Sequence, residues 1–323
     1  MAAPIKHTLN KKIVQSNQED ITEGERFAAD DKGPELPLIV IVGPTASGKS
    51  SLAMKIAKEY GGEIICADSR TIYKGMDIGT AKPSTDDRRR VPHWGLDLVE
   101  PGQKFSAADF KKYAQFAISD IRKRGKIPIL VGGTGLYVDG VIFDFKFVKT
   151  DPMLRQQLDA LSLHELKEYC VNNNVTLPEN QQNRRYLIRA IERQNVSSKR
   201  LYQPLPHTII VGIATNSIEL RRRIEARSEQ LFETGMVEEA KKLGKKYGWD
   251  SEAMTGNIYK LVRRFLADEF DEANLRQKFV TSDWQLAKRQ LTWLKRNPHI
   301  VWKSLTDAYA YLTNELNRVT EKH

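Results

Sequence analysis

Apolar and polar positions along the chain fall into blocks that alternate between strand and helix character. Leu38 to Val42 is an unbroken apolar run; a glycine-rich loop and a helix over 49–60 follow, Gly61-Gly62 ends that helix, and Glu63 to Ala67 reads as a second strand. A later helical stretch, about 107 to 123, closes at Gly125, and Ile127 to Val131 is an apolar run too short for a helix. This order predicts an α/β fold with a parallel sheet flanked by helices. From Asp151 to about Arg200 the pattern turns helical, with Leu154, Leu158 and Leu161 on one face and Leu187, Ile188 and Ile191 on another. Thr208 to Ile213 returns to strand character, and long helical patterns cover about 217–244 and 273–296. The first 36 residues are polar and aperiodic. The expected organisation is a mobile tail over 1–36, a first part of the α/β core over 37–148, a helical insertion over 149–203, and a return to the core with C-terminal helices over 204–323.

Composition narrows the class. The chain has 323 residues, and no apolar run approaches the ~18 residues that span a membrane. The N-terminus has neither the basic-then-apolar pattern of a signal peptide nor the acid-poor character of a transit peptide. Cys66 and Cys170 make no disulfide framework or metal set, which predicts a reducing, cytoplasmic setting. The net charge is +10, yet the first 36 residues carry more acid than base, so the remaining body holds about +12. A body this basic suggests a polyanionic partner, nucleic acid first.

The most specific motif follows the first strand. Gly43-Pro44-Thr45-Ala46-Ser47-Gly48-Lys49-Ser50 matches the phosphate-binding loop G-x-x-x-x-G-K-[ST]. Such a loop turns backbone N–H groups inward as an anion nest, Lys49 reaches the outer phosphates, and the Ser50 hydroxyl can bind Mg²⁺. The helix behind it points its positive end at the same anion. The loop implies a di- or triphosphate ligand without saying which.

Asp68 ends the second strand, at the sheet end where ligands of parallel α/β folds sit, and is a candidate general base. An aspartate there serves equally well as a turn or helix cap. After the third apolar run comes Gly132-Gly133-Thr134-Gly135, where a phosphate-loop ATPase would carry an acidic Mg²⁺ ligand; this weighs against ATP hydrolysis. The glycines allow close backbone approach and Thr134 can give and accept a hydrogen bond, though a plain strand-to-helix turn accounts for the segment too. Three basic stretches remain: Arg184, Arg185, Arg189 and Arg193; Arg221, Arg222, Arg223 and Arg227; and Lys288, Arg289, Lys295 and Arg296, interleaved with Trp284 and Trp293. Solvated helix faces explain many such runs, but aromatics beside them, Tyr186 included, suit a surface that grips phosphates and stacks bases.

Taken together, GPTASGKS at 43–50, ADSRTIYKGMDIGTAK at 67–82, VPH at 91–93, FSAADF at 105–110, ILVGGTGLY at 129–137, DPMLR at 151–155, RAIE at 189–192 and QLAKRQLTWLK at 285–295 resemble the tRNA dimethylallyltransferases, or tRNA isopentenyltransferases. The likeness runs from about residue 38 to 303 and is to the bacterial type, without the zinc-finger extension of some eukaryotic members. It implies a phosphate-loop NTPase-like sheet with a mainly helical insertion that grips the anticodon stem-loop. It also implies transfer of a dimethylallyl group from dimethylallyl diphosphate to N6 of adenosine 37, in tRNAs that read codons beginning with U.

On that resemblance Gly43, Pro44, Thr45, Ala46, Ser47, Gly48, Lys49 and Ser50 hold the diphosphate leaving group, with Mg²⁺ at Ser50 and Arg227 as a further diphosphate ligand. Lys49, Asp68 and Thr134 form the catalytic set, Asp68 removing the proton of a weakly nucleophilic amine. The tRNA contacts implied are Asp68, Ser69, Arg70, Thr71, Arg155, Arg185, Tyr186, Arg189, Lys288, Arg289, Gln290, Trp293 and Lys295. A monomer with no membrane attachment is expected.

The chain departs from the family pattern at three places. Asn257-Ile258-Tyr259-Lys260 stands where V-G-Y-R or V-G-Y-K is usual, which would put a branched residue where a glycine admits RNA. Asp283-Trp284 replaces a frequent Thr-Arg, and the stretch after Glu192 lacks the usual G-K-x-x-S loop. Two rivals share the phosphate loop: an adenylate isopentenyltransferase acting on free AMP, ADP or ATP, and a small-molecule kinase. Asp68-Ser69-Arg70 and the basic tract at 285–296 favour tRNA.

Overall fold

The computed structural model describes residues 36–148, 151–194 and 200–320. The tail expected over 1–36 therefore lies, but for Leu36, outside the described residues.

Six strands form one parallel sheet: β1 (Leu38–Val42), β2 (Gly62–Ala67), β3 (His93–Trp94), β4 (Ile127–Gly132), β5 (Thr208–Ile213) and β6 (Val301–Lys303), in the order β3-β2-β4-β1-β5-β6. The central β1 is buried along its whole length, as expected of a strand covered on both faces. The helices are α1 (Lys49–Tyr60), α2 (Thr85–Arg90), α3 (Ala107–Lys123), α4 (Gly135–Ile142), α5 (Pro152–Ala160), α6 (Leu163–Asn172), α7 (Arg184–Arg193), α8 (Ser217–Glu233), α9 (Met236–Tyr247), α10 (Asn257–Phe265), α11 (Glu272–Leu294) and α12 (Leu305–Thr320). On one face of the sheet Leu52, Ile56, Leu312 and Leu316 from α1 and α12 pack with Ile39, Ile41, Ile129 and Val211. A second core, made of Ile72, Tyr73 and Met76 with Phe232, Met236, Ile258, Tyr259 and Phe279, sits among α8 to α11.

Phe145–Arg200 forms a compact unit of its own. Its helices start on side-chain caps: Asp151 accepts the amide hydrogen of Met153 ahead of Pro152, and Ser162 and Glu165 make a reciprocal capping box. Leu154, Leu158, Leu166, Cys170, Leu187, Ile188 and Ile191 are its core, and Leu161 packs against it.

Sequence and structure differ at the short elements. The helical pattern over 217–244 is two helices, because Gly235 takes a left-handed φ of 93° between α8 and α9. The brief edge strands β3 and β6, and the helices α2, α10 and α12, are additions to the elements that the pattern predicts.

Candidate active site

Strand register sets the site. Val42 of β1 and Ala67 of β2 both lie opposite Gly132 of β4, so the phosphate loop, Asp68 and the turn at Gly133-Thr134 leave the same end of the sheet side by side. Asp68, Ser69 and Thr134 are partly exposed there. The Asp68 Oδ1 accepts the Arg70 amide hydrogen at 2.8 Å, and Thr134 Oγ1 accepts that of Ser69 at 3.2 Å. The first bond is the Asx turn that sequence offered as the alternative role for Asp68. The carboxylate that forms this turn is also the one that the sequence offers as a candidate general base. The end of β4 carries no carboxylate, only the glycines and Thr134.

Within the phosphate loop, Gly48 holds φ at 91° and Ala46 at 60°, which folds the chain back on itself ahead of α1. The Lys49 ammonium lies across the loop and donates to the Pro44 carbonyl at 3.0 Å. Burial pushes its pKa down to about 8, against the pull of Asp68 upward and with the help of Arg227. Ser47 is 1% exposed, and its hydroxyl lacks a hydrogen-bond partner. A desolvated cation and a partnerless buried hydroxyl are features that an anion would satisfy. Ser50 is exposed at the start of α1. Among the described residues no group of three or more His, Cys, Asp or Glu side chains forms a metal cage. Hydroxyl and carboxylate oxygens are the donors at hand, a set that suits Mg²⁺ carried on substrate phosphates.

Two helices clamp the loop from the C-terminal half of the chain. On α8, Arg223 donates to the Ser47 carbonyl at 3.1 Å and to Glu219 at 2.7 Å, and Arg227 donates to the Thr45 hydroxyl. From α11, Gln290 Oε1 accepts the Thr45 amide hydrogen at 2.8 Å, and Asp283 Oδ2 accepts from Arg227 at 3.0 Å. Ala46 packs on Leu220, Ile224 and Ala287 between these bonds. Asp283 is 5% exposed, with Asn257 Nδ2 at 3.5 Å. Burial raises its carboxyl above the ordinary range although Arg227 opposes the shift. Sequence marks Asp283 only as a departure from the family pattern. Its partnership with Arg227 needs the fold, since 56 positions separate them.

The expected RNA contacts divide into exposed and inward groups. Lys288 and Arg289 on α11 and Lys295 at its C-cap are exposed, and Gln285, Lys288, Arg289, Thr292, Trp293 and Arg296 line a groove of about 360 Å³. Gln290 instead turns inward, and so does the indole N–H of Trp293, although this ring also lines the groove. A Cβ on Gly133 would collide with the Gln290 amide and one on Gly135 with the Trp293 ring, whose Nε1 donates to Asp139 at 2.7 Å. The glycines after β4 therefore admit α11 side chains. Arg70 donates to the Glu252 carbonyl at 2.8 Å and to Thr255, and Thr71 is buried with its hydroxyl toward the Asp68 carbonyl. In the helical unit, Arg155 and Arg189 converge on the buried Glu192 at 3.1 and 2.7 Å, whereas Arg185 and Tyr186 are exposed. Arg221 and Arg222 pair within their own helix with Glu225 and Glu219.

Ile258 corrects an expectation. It is buried in the core with Tyr73 and Met76, beside Gly79, so this departure concerns packing and not access for RNA. Trp284 is partly buried, and the Lys288 ammonium lies 5.8 Å from its ring centroid.

A family model described as IPP transferase matches residues 71–297, and one described as isopentenyl transferase matches residues 36–92. A Citrifermentans bemidjiense protein named tRNA dimethylallyltransferase 1 is 38% identical over 87% of this chain and 96% of its own length. A tRNA dimethylallyltransferase of Bacillus velezensis is 33% identical over 85% of this chain and 93% of its own. The crystal structure of the full-length tRNA isopentenylpyrophosphate transferase from Bacillus halodurans has a TM-score of 0.67 at 31% identity, covering 89% of this chain and 99% of that one. A eukaryotic dimethylallyltransferase acting on tRNA shares the fold, with a TM-score of 0.71 at 23% identity over 88% of this chain and 77% of its own. On the extent of the model match and on these identities, the chain belongs to the IPP transferase family.

Proposed function

We propose that this protein transfers a dimethylallyl group from dimethylallyl diphosphate to N6 of adenosine 37, in tRNAs that read codons beginning with U, giving N6-isopentenyladenosine and diphosphate. One observation carries the reading beyond the family: Lys49, Asp68, Thr134 and the clamped Arg227 gather at one end of the sheet around the phosphate loop. The relatives named tRNA dimethylallyltransferase, matched over nearly their whole length, support the reaction class.

The reaction breaks the allylic C1–O bond and forms C1–N6, while one N6 proton leaves. Charge grows on the departing diphosphate, and the loop amides, Lys49 and Arg227 are placed to stabilise it. The Lys49 ammonium is held at low solvation, so its attraction for an anion is strong. Asp68 accepts the N6 proton, which the amine must shed because its lone pair is delocalised into the ring. Thr134, hydrogen-bonded to the residue that follows Asp68, holds the amine beside that carboxylate. Ser50 is the residue that would hold Mg²⁺, which would supply further neutralisation of charge on the leaving group.

Exposed Arg185 and Tyr186 on α7, Lys288 and Arg289 on α11 and Lys295 at its C-cap are the side chains we assign to the anticodon stem-loop. A monomer suffices, since every group named lies on one chain. Cytoplasmic action suits the free thiols of Cys66 and Cys170, and no described helix is long and apolar enough to cross a membrane. The test is an anticodon stem-loop carrying adenosine or guanosine at position 37, incubated with labelled donor. Label is expected on the first alone; equal labelling of both would overturn the assigned position.

A further inference from the structure

The Arg227 guanidinium bridges two partners of different kinds. It donates to Thr45 within the phosphate loop and to the carboxylate of Asp283 at 3.0 Å. Asp283 is nearly inaccessible and Arg227 only slightly exposed, so water screens their attraction weakly. A guanidinium half-neutralised in this way is a weaker anion ligand than a free one. An arriving diphosphate competes with Asp283 for the same N–H donors, and the carboxylate also repels it directly.

We propose that Asp283 is a positioning residue that moderates diphosphate affinity, holding Arg227 against the phosphate loop and limiting how tightly the product diphosphate is retained. The inference rests on the loop being a diphosphate site, as the proposed function has it. Three features support it. Asn257 Nδ2 lies 3.5 Å from the other carboxylate oxygen, so both oxygens of Asp283 face a donor. Gln290, seven positions further along α11, anchors the Thr45 amide, so one helix sets both the loop and the counter-charge. Asp68 and Arg227 act on both Lys49 and Asp283, so Asp283 adds a second carboxylate to a site that must take up a polyanion.

The test is calorimetric binding of inorganic diphosphate with Mg²⁺ to the full chain, with donor and tRNA kinetics alongside. Asp283→Asn keeps the shape and an acceptor but removes the charge. It should bind diphosphate about fivefold or more tightly, a gain of about 1 kcal/mol. The donor KM should fall, kcat should fall where diphosphate release limits turnover, and tRNA affinity should stay unchanged. In an Arg227→Met background the same substitution should give a markedly smaller gain, because the shared guanidinium is gone. Equal or weaker diphosphate binding by Asp283→Asn would overturn the proposal, as would an undiminished gain without Arg227. Asp283→Thr, uncharged and smaller, gives the same reading if the Asn variant is recovered unfolded. Loss of fold in both would also overturn it, since the carboxylate would then be a structural support. Failure of the parent protein to bind diphosphate at all would count against the phosphate-loop assignment itself, a result separable from the others.

Discussion

Gln290 accepts the amide hydrogen of Thr45 at 2.8 Å across 245 positions of sequence. A helix whose outer face is basic thus reaches through its inner face to the phosphate loop. The bond anchors the loop at Thr45, while the Gln290 amide nitrogen lies 2.4 Å from where a Cβ on Gly133 would be.

Gln290→Ala should therefore act on the donor and not on RNA. Loss of one neutral hydrogen bond of about 1 kcal/mol corresponds to a rise of about fivefold in donor KM. Steady-state kinetics varied separately in donor and tRNA measure it. A rise confined to the tRNA KM would return Gln290 to the RNA-binding set that sequence suggests.

Asp68→Ala should lower turnover by about 10²- to 10⁴-fold, the range of a missing general base, while tRNA affinity holds. Single-turnover alkylation and filter binding read the two effects. A steep fall in affinity with little change in rate would mean that Asp68 holds RNA.

Lys49 gives a pH signature. Its ammonium is fully protonated well below about 8 in the free protein, and loses its proton above that value, where the unfolded chain keeps one up to the ordinary lysine range. Donor capture, read as kcat/KM for the diphosphate, should fall as pH rises through about 8. Donor binding above that pH should take up a proton, because the anion raises the lysine pKa. By the same linkage Lys49 alone makes the fold more stable as pH rises between these limits, since the unfolded state then binds more protons. Lys49→Arg should erase the decline in kcat/KM near pH 8; a profile unchanged by that substitution would contradict the assignment.

Lys288 and Arg289 stand exposed on α11 at the groove. Replacing both with Ala should weaken tRNA binding and reduce the slope of log K against log salt by about one for each phosphate that is no longer neutralised. Donor affinity should not move. Anticodon stem-loop binding between low and moderate salt checks this, and an unaltered slope would place the RNA elsewhere.

The chain's periodicity makes β1, α1, α3 and β5 legible because each is long enough to show its pattern and apolar on its buried face, and the two helices are bounded by glycine or a cap. The edge strands β3 and β6 are two and three residues long, too short for any alternation to register. At the site, the positions of Gly43 to Ser50 and Asp68 are legible from spacing, the first after a strand and the second at a strand end, while position leaves the role of Asp68 open between base and turn. The basic runs are not. Arg155 and Arg189 look in sequence like Arg185, but Glu192 draws the first two inward through ion pairs that only folding creates. Asp283 is the converse, an isolated acidic residue whose meaning depends on a guanidinium 56 positions away.

The most direct measurement of the central claim is mass spectrometry of nucleosides from tRNA incubated with this protein, dimethylallyl diphosphate and Mg²⁺, with free AMP incubated in parallel. The account predicts N6-isopentenyladenosine in the tRNA digest and little or none from AMP. Unmodified tRNA from a folded, tRNA-binding preparation, or prenylation of AMP in preference to tRNA, would contradict it.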